Sequence, residues 1–259
     1  MPRLAANLGY LFADRPLPQR FAAAAGAGFL AVELQFPYQY AAAVLRREIE
    51  QHGLLMLGVN TPLGPGGEPG WAGVPGRERD FAADFRQALD YAVEIGARAI
   101  HCLAGAVGPE MEVKGEKVFM DNLAMAADLT AEKGLMVLIE PLNRRDRPGY
   151  LLHRPEQAAR IIGELGLPNV RMQFDFYHVQ IEGGDLMMRF EHHRPMIGHV
   201  QVAAVPSRAE PDEGEVNYPA IFEMLDRVYD GYVGCEYRPR TTTEEGLGWA
   251  RPYGLGRGL

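Results

Sequence analysis

The chain has 259 residues, 47% hydrophobic and 23% charged, with 30 Gly, 19 Pro and a formal net charge of −8. That composition excludes a disordered chain or a fibre, and the acidic balance speaks against nucleic acid as a partner, because phosphate binding needs a basic face. No apolar run approaches the roughly 20 residues that cross a bilayer, and "MPRLAANLGYLF" lacks the cleavage site of a secretory signal, so a cytoplasmic protein with no membrane partner is expected.

From the N-terminus, short apolar runs alternate with helical patterns. The runs are "RLAANLGYL", "AVELQF", "LLMLGVN", "ARAIHCLAG", "LMVLIEP", "VRMQFDF", "IGHVQVAA" and "YVGCEY", eight in all. Between them, "ERDFAADFRQALDYAVEIG" brings Phe81, Phe85, Ala88, Leu89 and Ala92 to one face at three- and four-residue steps. "NYPAIFEMLDRVYDG" does the same with Phe222, Leu225, Val228 and Tyr229. Helices are expected to stop at Gly28, Gly53, Gly96, Gly134, Gly166 and Gly231, since glycine suits a left-handed helix end.

Strand and helix alternating eight times predict a single (β/α)8 TIM barrel over residues 1–259, an α/β fold of about this length. No Gly-rich phosphate loop follows the first strand, so neither a nicotinamide nor a flavin is expected. One segment breaks the rhythm. Pro62 to Gly76, after the third strand, has ten Gly or Pro among fifteen residues, with Trp71 in its middle, and reads as a lid that presses the indole onto a site.

In such a barrel, chemistry sits at the carboxyl ends of the strands. The fifth run ends in Glu140, the sixth in Asp175, the seventh in Gln201 and the eighth in Glu236. Alternation along each strand turns these inward together with Gln173 and His101, and turns Val137, Ile139, Phe174, Phe176, Cys102 and Cys235 outward. The two cysteines then lie on opposite sides of the barrel, beyond the roughly 7 Å limit for bridging, and read as structural thiols. Three carboxylates in one apolar mouth repel one another. A divalent cation resolves that, and the all-oxygen set Glu140, Asp175, Gln201 and Glu236 suits Mg²⁺ or Mn²⁺. His178, Arg208, His101 and Asn60 lie where a substrate could meet them, Arg208 as a partner for a substrate carboxylate. Arg144, Arg145 and Arg147 read as a solvated loop, and His192 and His193 as surface.

The stretches "MPRLAANLGYLF", "AVELQFPYQY", "DFYHVQ", "HVQVAAVPSRAEPDEGEVNYP" and "GCEYRPRTTTEEGLGW" resemble the hydroxypyruvate isomerase family, within the xylose-isomerase-like TIM barrels. The resemblance runs from Met1 to about Trp249; "ARPYGLGRGL" at the end of the tail after about residue 240 has no counterpart in it, and the "NRRDRPG" loop is atypical. It implies catalytic glutamates at Glu140 and Glu236, metal ligation by Glu140, Asp175, Gln201 and Glu236, and substrate contacts from His178 and Arg208. Related ketose 3-epimerases carry a histidine where this chain has Gln201, which argues against a typical epimerase.

The activity that the resemblance implies is the interconversion of hydroxypyruvate and 2-hydroxy-3-oxopropanoate through an enediolate, with two glutamates moving the proton. The partner would be a small anionic hydroxy-oxo acid or sugar acid. Alternatives on the same site are a 2-oxo-tetronate isomerase or a ketose epimerase. Two further rivals are an endonuclease-like phosphodiesterase, disfavoured by the net charge, and a non-catalytic sugar-acid binder, disfavoured by the paired glutamates. Assembly into a homo-oligomer through the segment after Glu236 is an expectation by analogy.

Overall fold

The computed structural model describes residues 1–255. Among these residues nine strands, all paired in parallel, run as β1 (Arg3–Asn7), β2 (Ala31–Glu33), β3 (Leu55–Met56), β4 (Gly58–Asn60), β5 (Ala99–His101), β6 (Met136–Ile139), β7 (Val170–Asp175), β8 (Ile197–Val202) and β9 (Tyr232–Cys235). The spatial order is β3-β2-β1-β9-β8-β7-β6-β5-β4. The strand predicted at "LLMLGVN" is therefore two pieces, β3 and β4, broken at Leu57. Leu57 N donates to Val32 O at 2.8 Å, and its carbonyl accepts from Arg98 N at 3.2 Å, so this residue joins the two ends of the sheet. Eight strand positions thus form a barrel.

Among the described residues, nine α-helices surround it: α1 (Leu17–Gly26), α2 (Ala42–Gln51), α3 (Glu78–Ile95), α4 (Glu112–Ala131), α5 (Pro155–Leu165), α6 (Phe176–Glu182), α7 (Leu186–His193), α8 (Tyr218–Val228) and α9 (Thr243–Gly246). On α3, the residues named from periodicity are all buried. Gly96 and Gly166 cap α3 and α5 in the left-handed conformation. Gly231 does not do this for α8, which ends at Val228 with Tyr229 extended. His193 also departs from expectation: on α7 it falls on the same face as Leu186 and Phe190, and it is buried while His192 stays exposed.

Strand alternation works as predicted. Phe174 packs outward against Phe190 of α7, both cysteines are buried, free thiols, and Phe176, predicted as the next outward strand residue, instead opens α6 and stacks on Phe190 from there. One bulge resets the phase. Met172 pairs with Ile197, but Gln173 pairs with His199, leaving Gly198 as the extra residue. A Cβ there would lie 2.7 Å from that of Arg171. The bulge brings His199 and Gln201 inward beside Gln173 and Asp175.

The 62–76 segment is docked rather than open. Ala72 N and Gly73 N donate to Leu103 O and Ala104 O beyond β5, and Asn122 of α4 holds Ala72 O at 2.7 Å. Trp71 is 7% exposed and carries the Arg77 guanidinium over its ring. At the other end, Phe12 N donates to Thr243 Oγ1, and Trp249 and Tyr253 pack on Phe222, so the segment after residue 240 folds back on its own barrel. The last residues of the tail, 256–259, lie outside the described residues.

Candidate active site

Register alone gathers the polar residues. Asn7 stands beside Glu33, Gln173 beside His199, and Asp175 beside Gln201. Just past the ends of β6 and β9 follow Glu140 and Glu236. Glu140, Asp175, His178 and Glu236 are all buried, and each offers an atom within 4.8 Å of the others. Asp175 also caps α6, its Oδ1 accepting from Tyr177 N at 2.9 Å.

The free valences of the cluster face one place. Glu140 Oε2 accepts from Gln173 Nε2 at 2.8 Å, but Glu140 Oε1 has no partner. Asp175 Oδ2 is likewise buried without one. Glu236 Oε1 accepts from Gln35 at 2.6 Å, and its Oε2 from Arg208 at 2.7 Å. Burial, then repulsion from Glu236 and Asp175, holds Glu140 far above the usual carboxylate range. Burial and the Glu236 charge push Asp175 up to about 7, and burial raises Glu236 despite Arg208. Unpaired, buried acceptor oxygens beside mutually repelling carboxyls are a donor set for a hard divalent cation.

Arg208 is the one cation in contact with this cluster among the described residues. Its backbone is left-handed at φ 56°, an unusual conformation for a residue with a side chain. Hydrogen bonds from Arg208 N to Ala204 O and from Arg238 N to Arg208 O, each 2.8 Å, hold it there. The guanidinium lies over the rings of Tyr10 and Tyr177. Burial opposes its charge, but Glu236, Tyr10 and Asp175 more than compensate, so it stays a cation.

His178 joins the cluster in a defined tautomer. Its Nδ1 accepts from the Asn143 backbone N–H at 3.1 Å. Burial, reinforced by Arg208, lowers its pKa far below the usual imidazole value, so the ring is neutral. The ring proton therefore sits on Nε2, 3.7 Å from Asp175 Oδ2. Arg208 Nη2 lies 3.5 Å from the same Nε2, so His178 stands between the guanidinium and the carboxylates of the cluster.

The other predicted residues fall as follows. His101 Nδ1 lies 3.4 Å from Glu140 Oε2 with neither ring nitrogen hydrogen-bonded, and burial followed by His199 lowers its pKa to about 3. Asn60 is half-buried, and its carbonyl accepts from Tyr38 Oη. Its side chain lines a cavity of about 240 Å³ inside the barrel, which runs from the layer of Glu33, His199 and Gln201 down to Arg3, Arg98 and Tyr232 at the amino-terminal end. Gln201 is oriented by two neighbours: its Nε2 donates to Glu33 and its Oε1 accepts from Gln173. Arg144, Arg145 and Arg147 are exposed, as a solvated loop should be.

Glu33 and His199 were not singled out from the sequence. Glu33 closes "AVELQF" with the same signature as Glu140, a carboxylate late in an apolar run, so the signal was there. His199 shares the inward phase of Gln201. They form a buried pair at 2.5 Å. Burial alone would raise the Glu33 carboxyl, but His199 and the amides of Gln201 and Asn7 hold it below its usual value.

A family model described as "Xylose isomerase-like TIM barrel" matches residues 21–253. A 2-oxo-tetronate isomerase of Cupriavidus necator is 47% identical over 99% of this chain and 100% of its own length. The hydroxypyruvate isomerase of Escherichia coli is 38% identical over 98% and 100%. The crystal structure of an AP endonuclease, family 2, from Brucella melitensis superposes with a TM-score of 0.95 at 44% identity, covering 98% of this chain and 99% of that one. With whole-length relatives that are isomerases and a barrel whose strand ends carry the expected carboxylates, this chain is an isomerase belonging to the xylose isomerase-like TIM barrel family.

Proposed function

We propose that the chain interconverts a small 2-oxo-3-hydroxy acid and its 2-hydroxy-3-oxo isomer. The observation that carries this reading is the pair Glu140 and Glu236, two buried carboxyls with raised pKa values in one cluster beside a buried arginine. Hydroxypyruvate is the three-carbon member of this class. 2-Oxo-tetronate has the same reacting carbons with one more attached, and relatives at 47% and 44% identity carry its name. The reacting unit is the same, so both belong in the assay.

In this scheme one glutamate takes the proton from the hydroxyl-bearing carbon and it or the other returns one to the neighbouring carbon, while the hydroxyl proton passes from the C3 oxygen to the former carbonyl oxygen at C2, so the two isomers balance. A carboxyl whose pKa is raised above its ordinary value is a better proton acceptor once ionised, which suits it to that task. Arg208 binds the substrate carboxylate with its fork. His178 donates from Nε2 to a substrate oxygen, and its neutral state keeps that donor in place across the working pH range. His101 packs against Glu140, and Asn60 lies on the cavity side of the same layer. Glu140, Asp175, Gln201 and Glu236 would hold a divalent cation, Mg²⁺ or Mn²⁺, and the unpartnered Glu140 Oε1 and Asp175 Oδ2 fit it. When bound, it supplies positive charge that polarises the carbonyl and stabilises the enediolate.

The test is to strip the protein of metal, resupply Mg²⁺ or Mn²⁺, and add hydroxypyruvate or 2-oxo-tetronate in deuterated water, following products by proton NMR. Metal-dependent isomerisation with solvent deuterium on carbon is expected. No turnover of either acid in loaded protein sinks the proposal.

A further inference from the structure

Three donors converge on Glu33, which ends β2 and is 5% exposed. Its Oε1 accepts from the side-chain amides of Asn7 at 2.8 Å and Gln201 at 2.7 Å. Its Oε2 contacts His199 Nε2 at 2.5 Å. An ionised carboxylate accepts and never donates, so it selects the nitrogen end of each amide that meets it. The oxygen ends are thereby turned away. The Asn7 oxygen accepts from Gly9 N at 3.0 Å, and the Asn7 nitrogen also reaches Glu236 at 3.4 Å. The Gln201 oxygen accepts from Gln173 Nε2 at 2.8 Å, and that same nitrogen donates to Glu140 at 2.8 Å. One buried carboxylate fixes the direction of three amides, and two of those amides end on Glu140 and Glu236.

We infer that Glu33 is a positioning residue for the carboxylate cluster: it locks Gln201 with its oxygen end available to a cation and, through Asn7 and Gln173, sets the carboxylates of Glu236 and Glu140. The inference deepens the metal-assisted isomerisation proposed above and rests on it.

Two independent observations support the role. The first is Gly234 on β9, opposite Glu33. A Cβ there would lie 2.6 Å from both Glu33 oxygens, so β9 carries no side chain where Glu33 needs room. The second is the cost of the pair. Replacing both partners of a buried hydrogen bond with apolar groups of the same shape can be nearly neutral or stabilising. Stability therefore gives no reason for a glutamate and a histidine inside this barrel, whereas amide orientation does. Partners that orient a metal's ligands commonly change affinity roughly tenfold to a hundredfold when altered.

The experiment compares wild type with Glu33→Gln and Gly234→Ala. Glutamine keeps the volume of Glu33 but can offer nitrogen as well as oxygen, so the amides are free to invert. Metal-free proteins are titrated with Mn²⁺ by calorimetry, their melting temperatures are recorded, and kcat and KM are measured on hydroxypyruvate and 2-oxo-tetronate. Glu33→Gln should bind Mn²⁺ roughly tenfold to a hundredfold more weakly and lose kcat with little change in KM. Gly234→Ala, which retains every member of the network, should weaken Mn²⁺ binding in the same direction. The double variant should bind no more weakly than Glu33→Gln alone, because both changes act through one group.

Wild-type affinity in Glu33→Gln, or a lowered melting temperature with unchanged affinity, overturns the positioning role. Should Glu33→Gln fail to fold, unchanged affinity in Gly234→Ala overturns it. Wild-type protein that binds no Mn²⁺ fails the metal reading instead, so the two failures are told apart.

Discussion

Arg208 donates to Glu236 at 2.7 Å while its backbone is held left-handed by the Ala204 and Arg238 hydrogen bonds. The same terminal nitrogen lies 4.0 Å from Asp175, so one guanidinium borders two members of the carboxylate cluster. Arg208 Nε is buried without a hydrogen-bond partner, and under the reading proposed above that donor is left for an anionic substrate group. Arg208→Ala should raise KM for the oxo acid about tenfold to a hundredfold, the range of a charged hydrogen bond of about 1.5–3 kcal/mol. Steady-state kinetics on metal-loaded protein measure it; an unchanged KM sinks the assignment.

Glu140→Gln and Glu236→Gln keep shape and remove the titrating group. Each should lower kcat by about 10²–10⁴, the usual contribution of a positioned acid or base. Deuterium exchange into substrate separates the two roles, since a variant that still exchanges has kept its base. Near-normal turnover in either variant defeats the two-glutamate scheme.

The stability that the raised carboxyls lend metal-stripped protein should be lost as pH rises from about 4, the unfolded carboxyl value, through about 7, where Asp175 titrates. Burial and mutual repulsion raise Glu140, and they push Asp175 up to about 7. A carboxyl whose folded pKa exceeds its unfolded value stabilises the fold below the unfolded pKa, and that contribution is lost as pH rises through the folded pKa. His101 and His178, both lowered by burial, act in the opposite sense below about pH 6.5, inside this window, so the carboxyl contribution is read as the difference between wild type and Glu140→Gln. The slope is at most about 1.4 kcal/mol per pH unit for each proton released. Urea unfolding of wild type and Glu140→Gln at the two ends of the window measures it, and the stability of wild type relative to the variant should fall as pH rises. A difference that is equal at both ends contradicts the electrostatic account.

Gly214→Ala tests the loop that carries Arg208. Gly214 has φ +84°, and a Cβ there would lie 2.1 Å from Val205 O. The strain should cost about 1–3 kcal/mol and displace Arg208, so KM should rise more than kcat falls. Wild-type unfolding and KM together would show that the loop does not set Arg208.

Much of the barrel was legible because alternation and helical period are properties of local sequence. The eight strand positions, the outward cysteines and the inward Glu140, Asp175, Gln201 and Glu236 follow from them. The break at Leu57 does not, since it arises where the sheet closes on itself. Composition made 62–76 look like a lid. Its docking depends on backbone hydrogen bonds to Leu103 and Ala104, which Gly and Pro content does not encode. The tautomer of His178 is set by one backbone N–H from Asn143, a contact 35 residues away in sequence. Glu33 was readable by the rule that found Glu140, but its role appears only once register sets it beside Asn7.

The seam at Leu57 has a dynamic consequence. β3 and β4 hold the barrel closed with pieces of 2 and 3 residues, against 6 residues in each of β7 and β8. Local opening is cheapest where few backbone bonds break together. Amide hydrogen exchange should therefore be fastest, among barrel strands, at Leu57 and Arg98, and slowest along β7 and β8. The cluster draws Asp175, Gln201 and Gln173 from those two slow strands, so the barrel can breathe at its closure while these three side chains stay anchored.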